Sequence, residues 1–318
     1  MYYDVFNGDA DGICALHQLR LAEPRNSKLI TGLKRDIALL TRIDETSSAD
    51  VITVLDVSFD KNRDDVIRLL ESGAEVHYFD HHFAGDVPDL ERLHAHIDTS
   101  VDTCSSFIVD KHLNGKYRLW AVTAAFGDNL HDIALKAAEG QGLSDDQMSA
   151  LELLGTCINY NGYGVSLDDL FFQPAELYMA IHPFENPFEF IEKSETFNTL
   201  KNGFEGDMAT ARAQPPEIEE DAIAVYMLPD EAWARRVSGV FGNELARIHP
   251  DRAHALLTTL SSGDYRVSVR APISNSTGAD ELCMQFSTGG GRKAAAGINS
   301  LPAESYDDFI AAFRNKYG

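Results

Sequence analysis

At 318 residues, 44 % of them hydrophobic, the chain is long enough to bury a sizeable core and predicts two domains rather than one. Its 50 acidic against 27 basic side chains leave a formal net charge of −23, which argues against a protein that grips long nucleic acid by neutralising phosphates. A short anionic substrate held through cations is still allowed, because metal ions reverse the local charge of an acidic pocket.

The first half alternates short apolar runs with helical patterns. "YYDVF" reads as a strand, 12–22 as a helix, "SKLITGL" and "VITVLD" (51–56) as strands, 61–72 as a helix and "AEVHYFD" (74–80) as a strand. That alternation predicts an α/β fold with a parallel sheet. Ligands on such sheets gather at the carboxyl ends of the strands, where Asp9, Asp11, Asp56 and Asp80 all fall. From about 103 the pattern turns helical, through "TCSSFIVDKHL", "RLWAVTAAFGDNL", "DIALKAAEGQGL" and "SDDQMSALELLGTCIN". Residues 160–188 are irregular and aromatic-rich, 188–213 read as a helix, and "AQPPEIEED" (213–221) as a linker. A second alternating unit follows: strand "AIAVYML", a helix over 231–248, strands "HALLTTL" and "YRVSVRAP", and a helix in "GADELCMQF". "STGGGRKAAAG" reads as a glycine-rich loop running into a helix, and 304–316 as a closing amphipathic helix. The domain expectation is therefore a catalytic domain over 1–185, a helical connector and linker over 186–220, and a smaller α/β domain over 221–318.

The four cysteines, at 14, 104, 157 and 283, have no zinc or redox spacing, which predicts a reduced, cytoplasmic protein. The start "MYYDVFNGD" has no signal-peptide pattern, and no run approaches the about 18 apolar residues of a membrane span.

Asp9, Asp11, Asp56, the tripeptide Asp80-His81-His82 and Asp128 of "FGDN" carry the chemistry. Each has a bland alternative: Asp9 or Asp11 could cap the helix near Gly12, and Asp128 could sit in a turn. As a set, carboxylates and imidazoles converging at strand ends would repel one another without cations. Carboxylate-rich sites suit Mg²⁺ or Mn²⁺, and imidazole shifts the balance toward Mn²⁺. Two such ions about 3.5–4 Å apart can activate water and clamp a phosphoryl displacement.

"NGDADG", "LDVS", "DHH" and "GDN", in that order, resemble the DHH phosphoesterase superfamily, and "YRVSVRAP" with "GGGRKAAAG" resembles its DHH-associated C-terminal domain. The superfamily includes RecJ-like exonucleases, oligoribonucleases (nanoRNases), cyclic-dinucleotide phosphodiesterases and manganese pyrophosphatases. The resemblance implies a metal-dependent phosphoesterase with two Mn²⁺ or Mg²⁺ ions. Asp9 would bind one ion and Asp11 the other, with Asp56 bridging and His81 and Asp128 completing the ligands of the second ion. Asp80 would orient His81, and His82 would stand near the scissile phosphate as donor or leaving-group acid. Arg270, Gly289, Gly290, Gly291, Arg292 and Lys293 would hold an anionic substrate in a cleft between the domains.

Two positions depart from the pattern. Asn7 stands where relatives carry His or Asp, which weakens the first ion's ligand set, and Arg292 stands where His is usual, which keeps a planar fork for phosphate. The expected substrates are short oligonucleotides, linear dinucleotides or nucleotide bisphosphates, without long-duplex DNA or membrane binding, and a homodimer is compatible with the sequence. A manganese pyrophosphatase and a catalytically weak nucleotide sensor are the alternatives.

Overall fold

The computed structural model describes residues 1–44 and 46–318, in two compact units, Met1–Gly203 and Phe204–Gly318. The first unit opens with β1 (Tyr2–Phe6), α1 (Ala10–Ala22), β2 (Lys28–Thr31), β3 (Val51–Leu55), α2 (Phe59–Glu71), β4 (Glu75–Asp80) and β5 (Leu93–Ile97). These strands form one all-parallel sheet in the order β2-β1-β3-β4-β5. Its central strands read as near-continuous apolar runs because both faces are covered, and Val5, Phe6, Ile52, Val54 and Leu55 are all buried. The polar exception, Asp4 in β1, is gripped by both arms of Arg20 from α1 at 2.8 and 2.6 Å, and Arg20 also donates to Thr53 at 3.0 Å. Strand β5, "LHAHI", has no clear alternation to predict it from sequence; it is an edge strand set by its register with β4.

The strand order changes direction between β1 and β3, which makes their carboxyl ends the topological switch point where open α/β sheets bind ligands. The helices that follow are α3 (Ser105–His112), α4 (Arg118–Gly127), α5 (His131–Ala138), α6 (Asp145–Asn161), α7 (Pro174–Ile181), α8 (Pro187–Lys193) and α9 (Glu195–Arg212). The single helix expected over 188–213 is two. Ser194 leaves helical geometry (φ −95°, ψ 118°) and its hydroxyl accepts from the Phe197 amide of the next helix at 3.4 Å. Among the described residues no helix is long and apolar enough to cross a membrane.

The second unit contains β6 (Ile218–Glu219), β7 (Ile223–Leu228), α10 (Ala232–Ile248), β8 (Ala253–Thr259), β9 (Tyr265–Arg270), α11 (Ala279–Cys283), β10 (Gly289–Gly291), β11 (Ala295–Leu301) and α12 (Tyr306–Tyr317). Its six-stranded sheet is mixed, in the order β10-β11-β9-β8-β7-β6, with β7 and β8 paired parallel and the other neighbours antiparallel. Val225, Leu257, Val269 and Ile298 of the sheet join Leu282, Phe309 and Phe313 of α11 and α12 in one core. The fold is thus α/β, with an N-terminal unit built on a parallel sheet and a smaller C-terminal unit built on a mixed sheet.

The expected glycine loop and helix start in "GGGRKAAAG" is instead a hairpin. Arg292 and Ala295 exchange backbone hydrogen bonds of 2.9 and 3.1 Å across the turn, and β11 returns beside β9. Alanines favour helix locally, but alternating burial along β11 wins. Gly289 has no room for a side chain, since a Cβ there would lie 1.7 Å from the Cys283 carbonyl oxygen.

His254 lies fully buried in β8, and burial first, then the charges of His249 and Arg252, push its pKa down from 6.5 to about 4. The folded state therefore resists a proton that the unfolded state accepts. Its contribution is complete above about pH 6.5 and is withdrawn as pH falls toward 4, by about 3 kcal/mol in all. Denaturant titrations from pH 7 to 4.5 check this: His254→Phe should flatten the decline in stability, and an unchanged slope would contradict the assignment.

Candidate metal centre

Immediately after β1 the chain turns within van der Waals limits, since a Cβ at Gly8 would sit 2.0 Å from the Gly32 carbonyl oxygen. Asp9 caps α1, its Oδ1 accepting from the Asp11 and Gly12 amides at 3.1 Å each, so the helix-cap reading of this residue holds. Asp11 points to another helix: its two oxygens accept from the Ser105 and Ser106 amides at the start of α3, both at 2.7 Å. Asp56 follows β3 with φ +56°, a left-handed conformation that a residue with a Cβ adopts at a cost. Its Oδ1 accepts from the Ser105 hydroxyl at 3.1 Å and lies 3.5 Å from His81 Nε2. Asp128 caps the carboxyl end of α4.

Atoms of Asp11, His81 and Asp128 lie within 4.8 Å of one another, as do atoms of Asp56, His81 and His82. Asp11, Asp56, His81 and Asp128 therefore come together, and their oxygen and nitrogen donors suit a hard divalent cation. Burial first, then the charges of Asp11, Asp9, Asp128 and Asp80, hold the Asp56 carboxyl well above the usual range. Burial also raises that of Asp128, against the opposing pull of Lys34. Buried carboxyls that repel one another in this way are the surroundings in which a bound cation would be favoured.

Asp80 does not orient His81. Its Oδ1 accepts from the His82 amide at 3.2 Å and from His82 Nδ1 at 2.7 Å, while Oδ2 accepts from the Phe59 amide that opens α2. The reason is local: an aspartate at a strand end closes a turn onto the residue two positions on. Burial works to lower the His82 pKa, but the hydrogen bond and charge of Asp80, with Asp11 and Asp9, raise it overall. Asp80→Asn should leave the His82 ring without its carboxylate partner and lower its pKa relative to the wild type. Titration of the His82 ring followed by nuclear magnetic resonance decides the point, and an unchanged pKa would contradict the pairing.

Three residues that bond to these carboxylates, or to one another beside them, escaped the sequence. Ser105, already described, ties Asp11 to Asp56. Lys34, just past β2, donates from Nζ to Asp9 Oδ2 at 2.5 Å, Asn159 Oδ1 at 2.9 Å and Asp128 Oδ1 at 3.0 Å. Asn159 lies in the last turn of α6, in the "CINYNGYG" segment whose role the sequence does not disclose. Position at a strand's carboxyl end is the one available signal for Lys34.

In the second unit, the Arg270 guanidinium is engaged by Asn243 Oδ1 at 2.6 Å, Ser268 Oγ at 3.0 Å and the carbonyls of Val269 and Gly239. It braces β9 against α10. Arg292 and Lys293 are exposed at the hairpin tip, beside Gly289, Gly290 and Gly291 in β10. A further group, Glu75, His77 and His94, lies toward the amino ends of β4 and β5, away from the strand ends that carry the aspartates.

No protein-family model matches the sequence, and no curated protein does. Among solved structures, exonuclease RecJ bound to manganese matches 98 % of this chain and 88 % of its own, at 15 % identity and TM-score 0.64. RecJ in complex with Mn²⁺ from Thermus thermophilus matches 99 % of this chain, at 18 % identity and TM-score 0.63. This chain has the RecJ fold. It spans only 51 % of the Thermus RecJ chain. A pGpG-specific phosphodiesterase, PggH, from Vibrio cholerae matches 99 % of this chain and 98 % of its own, at 15 % identity and TM-score 0.58. On this RecJ fold the carboxylate and imidazole cluster occupies the switch point of the parallel sheet.

Proposed function

We propose that the protein is a divalent-cation-dependent phosphoesterase that hydrolyses short linear nucleotides. The observation that carries this reading is the convergence of Asp11, Asp56, His81 and Asp128 at the switch point, with the Asp80–His82 pair beside them. A bound Mn²⁺ or Mg²⁺ would supply Lewis acidity and lower the pKa of water.

The chain's own residues do the rest. Ser105 and the α3 amides fix Asp11 and Asp56 so that neither carboxylate has to reorganise during reaction. His82, held through Nδ1 by Asp80, keeps Nε2 to deliver a proton to the leaving oxygen. In the second unit, Arg292 and Lys293 supply positive charge for substrate phosphates, with the glycines of β10 holding the hairpin that presents them. The Arg270 side chain contributes to that unit's framework rather than to anion binding.

The net charge of −23 favours short substrates over long strands. The fold shared with a pGpG-specific phosphodiesterase is compatible with such a substrate. A panel of pyrophosphate, 3′-phosphoadenosine 5′-phosphate, linear dinucleotides and a labelled 12-mer, each with Mn²⁺ or Mg²⁺, tests the assignment. Turnover of dinucleotides or the bisphosphate is expected. Turnover of pyrophosphate alone would make the protein a phosphoanhydride hydrolase, and binding without turnover would make it a sensor.

A further inference from the structure

Lys34 is held as an ion is held. Its ammonium receives three oxygens, from Asp9 on the β1 turn, Asp128 at the end of α4 and Asn159 at the end of α6, at 2.5, 3.0 and 2.9 Å. The Tyr163 ring lies 5.6 Å from Nζ and adds its negative face. The backbone of Lys34 is fixed on both sides: its amide donates to the Gly162 carbonyl at 3.0 Å, and its carbonyl accepts from Asn7 Nδ2 at 3.2 Å. The last bond gives Asn7, the departure from the metal-binding pattern, a specific role. An imidazole could serve as a ligand at this place; the amide instead anchors the residue that delivers an ammonium.

Asn7 and Lys34 therefore form one device. We infer that the Lys34 ammonium replaces the first of the two cations, so that the centre holds one divalent ion, on Asp11, Asp56, His81 and Asp128. This rests on the metal-dependent reading above and sharpens it. The charge of Asp9 is already matched by the Lys34 ammonium on Oδ2, whereas both oxygens of Asp11 face only neutral amides, so a second ion would gain less at Asp9 than the first gains at Asp11. Asn7 Oδ1, buried and without a hydrogen-bond partner among the described residues, is one neutral acceptor and does not compensate.

The test is the number of Mn²⁺ ions bound by the full chain, measured by calorimetric titration and by electron paramagnetic resonance, which distinguishes an isolated Mn²⁺ from an exchange-coupled pair. The wild type should bind one Mn²⁺ with an uncoupled spectrum, and Asn7→His alone should leave the count at one. The double variant Asn7→His with Lys34→Ala should bind two and show coupling. Two coupled ions in the wild type would overturn the inference while leaving the metal-dependent reading intact. No ion in the wild type would overturn both. A folded double variant that still binds one would show that Lys34 is not what excludes the second; Lys34→Gln, which removes the charge but keeps a polar side chain one atom shorter, repeats that arm if the double variant does not fold.

Discussion

Asp56→Asn is expected to lower phosphoesterase activity by about three orders of magnitude while leaving the cation-free protein as stable as the wild type or more so. The two effects share one cause. Asp56 is buried within hydrogen-bond distance of Ser105 and beside His81, and its carboxyl is held well above the usual range by burial and by Asp11, Asp9, Asp128 and Asp80. In the cation-free state it is a strained, repelled group, and an amide of the same shape relieves that repulsion. With a cation bound, the same carboxylate would supply negative charge beside His81, and its loss would remove that charge from the position that the ion needs. Metal-binding assays and thermal melts with and without Mn²⁺ separate the two: the increase in melting temperature on adding Mn²⁺ should shrink sharply in the variant. Full activity in Asp56→Asn would remove this residue from the centre.

Gly155→Ala should destabilise the first unit by about 2 kcal/mol or more and reduce activity with it. A Cβ at Gly155 would lie 2.0 Å from the Thr123 carbonyl oxygen and 2.9 Å from the Gly127 amide nitrogen, so α6 cannot keep its distance from α4. Both obstructing atoms are backbone and cannot swing aside. The functional consequence follows from what the two helices carry: Asp128 caps the carboxyl end of α4 and Asn159 lies in the last turn of α6, two of the three oxygens that accept from Lys34. Pushing the helices apart separates those acceptors. Denaturant titration alongside kinetics checks the prediction, and a change below about 0.5 kcal/mol would show that the helices can adjust.

The strand ends are legible because two independent patterns agree there. Apolar runs mark β1, β3 and β4, and each is followed by an acidic residue that no buried strand would carry without a purpose. The parts that cannot be read are those whose meaning comes from distant partners. Lys34 is 25, 94 and 125 residues from Asp9, Asp128 and Asn159, and nothing in "TGLKRD" distinguishes it from a solvated lysine. Ser105 looks like an ordinary helix start until Asp11 and Asp56 are brought to it. The partner of Asp80 turns on a two-residue turn geometry that either histidine of "DHH" could satisfy on paper. The hairpin at "GGGRKAAAG" escapes a sequence reading because local alanine propensity opposes a register that β9 imposes from outside.

The central claim, a cation-dependent phosphoesterase acting on short linear nucleotides, meets its most direct test in one assay. The full chain is stripped with chelator, supplied with a 5′-phosphorylated linear dinucleotide, and followed for mononucleotide release before and after Mn²⁺ is restored. The expected result is no release in the stripped protein, rapid release with Mn²⁺, and none in Asp56→Asn under either condition. Release at the same rate with and without the cation, or no release with any divalent metal, would contradict the account.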